Sequence, residues 1–148
     1  AGGDRGHQGF FRELRDELVE AVRVHTRYDT PVRDFKQDGE TVRLTRREYY
    51  PENQPVPELD VPEVGEYLVE WFYDANARVR RVLEGVCAPI PPTEWVAWQQ
   101  ITGNIVYSWE FDILAAMDVA FCEETNKELD ARRAAQAEEA ERNAGKGK

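Results

Sequence analysis

The sequence predicts a mainly α fold: a small helical domain of four to five helices with one N-terminal β-hairpin and an exposed C-terminal helical tail. Three observations support this prediction. Apolar residues recur at spacings of three and four over long stretches, which is typical of amphipathic helices. An Asp-Gly pair separates two β-prone runs near the N-terminus. After Thr125 the chain is rich in Ala, Glu and Arg and has few large apolar residues to bury.

The first helix and the hairpin account for the first third of the chain. The helix is expected from about residue 9 to residue 28, with an apolar stripe formed by Phe11, Leu14, Leu18, Ala21, Val22 and His25. Asp38-Gly39 suits the positive φ angles of a two-residue type I′ turn, which would place Phe35 opposite Val42. Because an isolated hairpin is marginal in water, it should pack on the helices or pair with the edge of another chain.

The longest amphipathic pattern lies in the middle of the chain, where apolar residues from Val64 to Val86 keep helical spacing. Asp60 and Glu63 form a capping-box arrangement at its start, and Gly85 can supply a left-handed stop. A helix is therefore expected from about residue 63 to Gly85. Thr93 is predicted to cap a short helix that Gly103 ends, and Ser108 to cap the last one.

The organisation that follows from these elements has five parts. They are a flexible start (1–8), a helix and hairpin unit (9–50), a Pro-rich linker (51–62), an acidic helical domain (63–127), and a fraying helical or disordered tail (128–148).

The charge distribution excludes some classes of partner. The net charge is −10, and residues 51–125 carry fourteen acidic side chains against three basic ones. Such a surface repels phosphate, so neither nucleic acid nor an anionic membrane is expected to bind. The apolar runs are too short to span a bilayer, and Ala1-Gly2-Gly3-Asp4 lacks the apolar core of a signal peptide.

The residues that could take part in catalysis form no recognisable catalytic set, so the sequence does not predict an enzyme. Glu110, Asp112 and Asp118 could pair as acid and base, but they are expected to form a solvated or partner-facing surface instead. His25 lies on an apolar stripe near a helix end, where a half-buried structural histidine is typical. No Gly-rich phosphate loop is present, so no cofactor is expected.

The two cysteines, Cys87 and Cys122, could pair in principle. Because both lie beside apolar residues, they are expected to be reduced, half-buried thiols. Two Cys and two His at these spacings cannot supply four metal ligands, so no metal site is predicted.

The four tryptophans give the best indication of function. Trp95 and Trp98 lie three positions apart on a helix of about ten residues, which is expected to be too short to bury both rings without large partners. At least one of them is therefore expected to contact another protein, because partly exposed aromatic residues are typical of protein-binding hot spots. The predicted partner-binding residues are Trp95, Trp98, Trp71, Phe72 and Glu94, whereas Trp109 is expected in the core.

An ordered series of features runs through residues 62–128. It consists of Tyr67-Leu68, Trp71-Phe72, Arg78, the stretch from Pro91 to Trp98, Thr102-Gly103, and the stretch from Glu110 to Asp118. This series resembles the tail assembly chaperones of long-tailed bacteriophages. The resemblance covers less than half of the chain and leaves the first helix and the hairpin unmatched.

The resemblance implies a non-enzymatic protein in the cytoplasm of an infected or lysogenic bacterial host. Such chaperones bind the helical, apolar tape measure protein and recruit tail tube subunits. Two alternatives stay open, an acidic inhibitor that mimics nucleic acid and another phage structural or adaptor protein. Self-association of the chain is also left open.

Overall fold

The fold is mainly helical, as the sequence predicts. A computed structural model describes residues 2–50, 54–79 and 82–147. The helices are α1 (Gly2–Tyr28), α2 (Arg46–Tyr49), α3 (Glu66–Val79), α4 (Pro92–Thr102) and α5 (Ser108–Lys146). The strands are β1 (Pro31–Gln37), β2 (Glu40–Thr45), β3 (Val82–Leu83) and β4 (Val86–Cys87). Parts of four predicted segments lie outside the described residues, namely Ala1 of the start, 51–53 of the linker, 80–81 of the acidic helical domain and Lys148 of the tail.

Helix α1 packs along α5 with the stripe that its sequence predicts. Leu14, Leu18 and Val22 are buried in the hydrophobic cluster, and Phe11 stacks on Trp109 with ring centroids 4.7 Å apart. The helix begins at Gly2 rather than at about residue 9. Its early start adds turns without adding to the described core, since the buried stripe begins at Leu14.

The predicted hairpin is confirmed. Phe35 lies opposite Val42 in the β1–β2 register, and Asp38 and Gly39 have φ angles of 52° and 80°. Both angles are positive, as a type I′ turn requires. The hairpin runs directly into the short helix α2, whose Thr45 accepts a hydrogen bond from the Glu48 backbone N–H in a capping box.

Helix α2 attaches the hairpin to the helices. Arg46 donates to the Arg27 carbonyl at 3.0 Å and forms an ion pair with Glu128 of α5. Arg47 makes a two-pronged contact with Asp29 at 2.7 and 3.0 Å. A bidentate pair of this kind fixes the orientation of the guanidinium relative to the carboxylate, in addition to pairing their charges. The hairpin therefore packs on the helices, one of the two arrangements expected for it.

The predicted length of α3 is wrong. The helix ends at Val79, and Val82 pairs with Cys87 in a small hairpin whose turn residues Glu84 and Gly85 have φ angles of 53° and 80°. Residues 80–81, which the longer helix would have contained, lie outside the described residues. Gly85 adopts the left-handed conformation expected of it, but in a strand turn instead of a helix stop.

The predicted N-caps also differ slightly. The observed caps of the turn before α3 and of helices α4 and α5 are Pro62, Pro91 and Tyr107 rather than Asp60, Thr93 and Ser108. Pro92 follows its cap at the first helical position, where proline needs no N–H acceptor.

One hydrophobic cluster joins α1, α3, α4 and α5. Its buried members include Leu18, Phe72, Trp98, Leu114 and Met117. Beyond it, residues 131–147 of the described chain are all exposed, so the last turns of α5 form the predicted helical tail. Among the described residues, no helix combines the length and the apolar character needed to cross a membrane.

Candidate protein-binding surface

Aromatic side chains from three helices meet edge to face around α4. Trp98 lies 5.8 Å from Trp71 of α3 and 5.8 Å from its neighbour Trp95, measured between ring centroids. Trp95 in turn lies 6.4 Å from Phe111 of α5. These spacings and angles are those that aromatic pairs prefer in protein cores. The rings therefore fix α4 between α3 and α5.

The expectation that α4 cannot bury both tryptophans is wrong. Trp95 is 2% exposed and Trp98 is 1% exposed. The Trp98 indole N–H is satisfied by Asp74 Oδ2 at 2.8 Å, so the ring can be buried without losing a hydrogen bond. Helix length alone suggested exposure, but Trp71 and Phe111 supply the large partners that cover both rings.

The other predicted partner-binding residues divide into two groups. Phe72 is fully buried and packs against Phe121 at 5.8 Å, so it is a core residue. Trp71 and Glu94 are half-buried and keep accessible surface on α3 and on the first turn of α4. Of the five candidates, these two can contact a partner in this conformation.

Four large apolar side chains that the sequence did not single out are exposed on α4 and on the connector (residues 103–107) that joins it to α5. They are Val96 (53% exposed), Ile101 (69%), Ile105 (70%) and Tyr107 (63%), and together we name them the apolar edge. Exposed apolar side chains mark interaction sites where they form a contiguous patch, and three of these four, Ile101, Ile105 and Tyr107, lie within seven positions at the end of α4.

The backbone after α4 explains why the side chains of Ile105 and Tyr107 face solvent. Gly103 ends α4, as predicted, and its φ of 75° shows that it does so in the left-handed conformation. In the connector, Val106 packs against the core and its N–H donates to Gln99 Oε1 at 2.8 Å. Because side chains alternate along an extended chain, Ile105 and Tyr107 on either side face solvent. A glycine stop followed by Asn-Ile-Val-Tyr is the sequence signal that could have identified Ile105 and Tyr107.

The chain that carries the apolar edge is acidic, and the basic side chains beside it come from other helices: Arg78 of α3 pairs with Asp74, and Arg12 and Arg15 of α1 line a groove with Trp109. The sequence has no Lys, Arg or His between residues 82 and 126, and none between 48 and 77. On α3 and the turn before it, Glu63, Glu66 and Glu70 are exposed at spacings of three and four, which places them on one helix face. A partner that meets this surface is therefore favoured if it is basic.

The expectation of a solvated acidic face on α5 is wrong for two of its three residues. Glu110 is buried, and its carboxylate accepts from the Tyr67 hydroxyl at 2.6 Å and from the Tyr107 N–H at 2.9 Å. Asp118 is also buried and accepts from the Ile90 N–H at 2.7 Å. Both acids satisfy structural donors, whereas Asp112 is exposed.

The surroundings of two titrating groups near α4 shift their pKa values. Hydrogen bonds from Arg78 and then from the Trp98 indole lower the pKa of Asp74 below its ordinary value. Burial, followed by the hydrogen bond to Glu110, raises the pKa of Tyr67 well above its ordinary value. The ionised Asp74 and the neutral Tyr67 are the forms that make the hydrogen bonds from α3 to α4 and α5.

A second acidic feature lies along α1. A groove of about 320 Å³ is lined by the carboxylates Asp16, Glu17, Glu20, Glu58 and Asp60. Across the described part of the chain, no cluster of three or more His, Cys, Asp and Glu side chains has an arrangement suited to a metal ion.

Comparisons with protein-family models, with curated proteins and with solved structures find no match to this chain. Its function is therefore inferred from the geometry of the surface and from the residue pattern.

Proposed function

We propose that this protein is a non-enzymatic assembly chaperone that binds a helical segment of another protein on the apolar edge. The observation that carries the proposal is the exposure of Val96, Ile101, Ile105 and Tyr107 in a stretch without any basic residue. Burying such side chains against a partner removes apolar surface from water, which is the main favourable term in protein association.

The apolar and acidic side chains of this surface indicate which kind of partner it would bind. An amphipathic helix can place its apolar face on the apolar edge and its basic residues toward Glu94 and the exposed carboxylates of α3. Acidic residues around an apolar centre speed the encounter with a basic partner and disfavour acidic ones. Trp71, half-buried beside α4, offers a further aromatic contact.

This surface supports the more specific proposal that the chain is a phage or prophage tail assembly chaperone. Its partners would then be the tape measure protein, which is helical and apolar, and the tail tube protein. The site of action would be the cytoplasm of the bacterial host. The support is the resemblance over residues 62–128 together with an apolar surface in the matching region.

A pull-down with fragments of a tape measure protein and a tail tube protein encoded beside this chain tests the specific proposal. We expect the apolar helical fragments of the tape measure protein to be retained. An Ile101→Ser/Ile105→Ser variant should retain much less, and a Val119→Ser variant, which alters an exposed valine on α5, should match the parent protein. Equal retention of unrelated helices would contradict the tail assembly proposal.

The acidic groove favours a second candidate function, an inhibitor that mimics nucleic acid. Asp16, Glu17 and Glu20 on α1 and Glu58 and Asp60 on the linker could imitate a row of phosphates. This function predicts binding to a basic protein that weakens steeply with added salt and is lost in a Glu17→Lys/Glu20→Lys variant. The chaperone function predicts that the same variant binds its partner helix normally.

A further inference from the structure

One face of α5 holds the segment that connects α3 to α4. Asp118, Cys122 and Asn126 are spaced by four residues and therefore share that face. Asp118 accepts from the Ile90 N–H at 2.7 Å. Asn126 both accepts from the Cys87 N–H at 2.8 Å and donates to the Cys87 carbonyl at 3.2 Å. The backbone of Cys87 is thus fixed one helical turn away from Cys122.

The two cysteine sulfurs face each other inside this contact. Cys87 Sγ and Cys122 Sγ are 3.6 Å apart, and both residues are buried. A disulfide bond needs a separation of about 2.05 Å between its sulfurs, so a change of roughly 1.5 Å would suffice. Rotation about the Cα–Cβ bonds moves the two sulfurs, and Asn126 holds the backbone of Cys87 beside α5.

We propose that Cys87 and Cys122 form an oxidation site, which closes to an intramolecular disulfide when a small-molecule disulfide such as oxidised glutathione is present. One protein thiolate attacks the reagent, forming a mixed disulfide and releasing one small thiol. The second protein thiolate then attacks the protein sulfur of the mixed disulfide and releases the second small thiol. Two protein thiols are oxidised, the reagent is reduced to two thiols, and these carry the two protons.

The reagent can reach the buried sulfurs by local opening of the β3–β4 hairpin. That hairpin contains only the pairs Val82 with Cys87 and Leu83 with Val86, and Val86 is about half exposed. A hairpin of two residue pairs opens at a lower free-energy cost than a helical core. Opening that also breaks the two hydrogen bonds between Cys87 and Asn126 exposes Cys87, and these bonds re-form when the hairpin closes.

The bond would constrain the part of the chain that carries α4. Cys87 and Cys122 are 35 positions apart, and the loop they close contains α4, the connector and the apolar edge. Closing such a loop restricts the unfolded chain, and we expect the oxidised protein to melt roughly 10 °C higher than the reduced protein. This inference does not depend on the proposed function.

The test compares the reduced protein before and after treatment with oxidised glutathione, with Cys87→Ser and Cys122→Ser as matched controls. Thiols are counted after denaturation, and the intact mass and Tm are recorded. We expect the protein to lose both thiols, to lose about two hydrogens in mass, and to gain Tm until a reductant reverses the change. Each control should instead keep glutathione attached or remain unreacted.

The same treatment is repeated during refolding, so that burial of the thiols cannot hide the result. Glutathione that stays attached to the parent protein would overturn the proposal. So would two unreacted thiols after refolding in the redox buffer, a bond between two chains, or an oxidised protein that melts below the reduced one.

Discussion

Replacing Trp98 by Phe tests whether α4 is fixed by its buried aromatic rings. The change keeps an aromatic ring at the centre of the contact but removes the indole N–H that donates to Asp74. It also leaves part of the indole volume unfilled against Trp71 and Trp95. Both losses fall on a residue that is 1% exposed, so water cannot readily compensate for the missing volume.

The expected cost follows from these two losses. The hydrogen bond is worth about 1 kcal/mol, since Asp74 is partly exposed and can turn to water when the donor is lost. The unfilled volume adds about 1–2 kcal/mol, less than for truncation to Ala because a ring remains. The free energy of unfolding should therefore fall by about 2–3 kcal/mol, and Tm by roughly 5–10 °C.

Urea denaturation followed by circular dichroism measures this change, and Val96→Ala on the same helix is the matched control. Val96 is about half exposed, so its truncation should change the free energy of unfolding by less than about 0.5 kcal/mol. The urea dependence of both variants should equal that of the parent. If Trp98→Phe were as stable as Val96→Ala, Trp98 could not be the packed centre of α4.

Three further predictions concern other parts of the fold. Gly65→Ala should lower the free energy of unfolding by about 1–3 kcal/mol in urea titrations, because the new Cβ would lie 2.9 Å from a Leu18 methyl. Since the fold raises the pKa of Tyr67, the contribution of this residue to stability is full below about pH 10 and is lost as the pH rises further. Tyr67→Phe should therefore reduce the loss of stability between about pH 10 and pH 11 in urea titrations, and the remaining slope comes in part from Tyr73, whose pKa burial also raises. Deleting residues 131–148 removes an exposed stretch (131–147) and the hydrogen bond from Arg133 to the Gly85 carbonyl; it should shift the calorimetric Tm by only about 1–2 °C, and a larger fall would show that the tail makes further contacts with the domain.

Local sequence signals predicted those elements whose conformation is decided locally. The Asp38-Gly39 turn requires two positive φ angles, and few residue pairs other than Asp-Gly and Asn-Gly adopt them readily. The stripe of α1 recurs at helical spacing, so Leu14, Leu18 and Val22 could be assigned to the core from their spacing alone.

The local sequence signals failed where contacts between residues far apart in the sequence decide the conformation. Val82 and Val86 fit a helical stripe, yet the segment forms a hairpin, and the hydrogen bonds between Cys87 and Asn126 hold it on α5. Short apolar runs with β-branched residues suit a strand as well as a helix, and the tertiary contact selects between them.

The predicted exposure of a tryptophan on α4 is wrong for a related physical reason. Exposure of Trp98 was inferred from the length of its own helix, but its burial depends on Trp71 and on the acceptor Asp74 in α3. The residues that are exposed, such as Ile105, lie in a connector whose in-and-out alternation depends on Val106 reaching the core. Neither relation follows from spacing within one element.

Binding of a basic, amphipathic helix to the apolar edge is the property on which the proposed function depends. The most direct test is a fluorescence anisotropy titration of a labelled basic helical peptide with the parent protein, with Ile101→Ser/Ile105→Ser and with Val119→Ser. We expect the double variant to bind with a Kd about tenfold higher or more, which corresponds to a loss of about 1.4 kcal/mol in binding free energy. The Val119→Ser control should bind with the Kd of the parent protein. The Tm values of all three proteins should be alike. Equal Kd values for the double variant and the control would contradict the assignment of this surface.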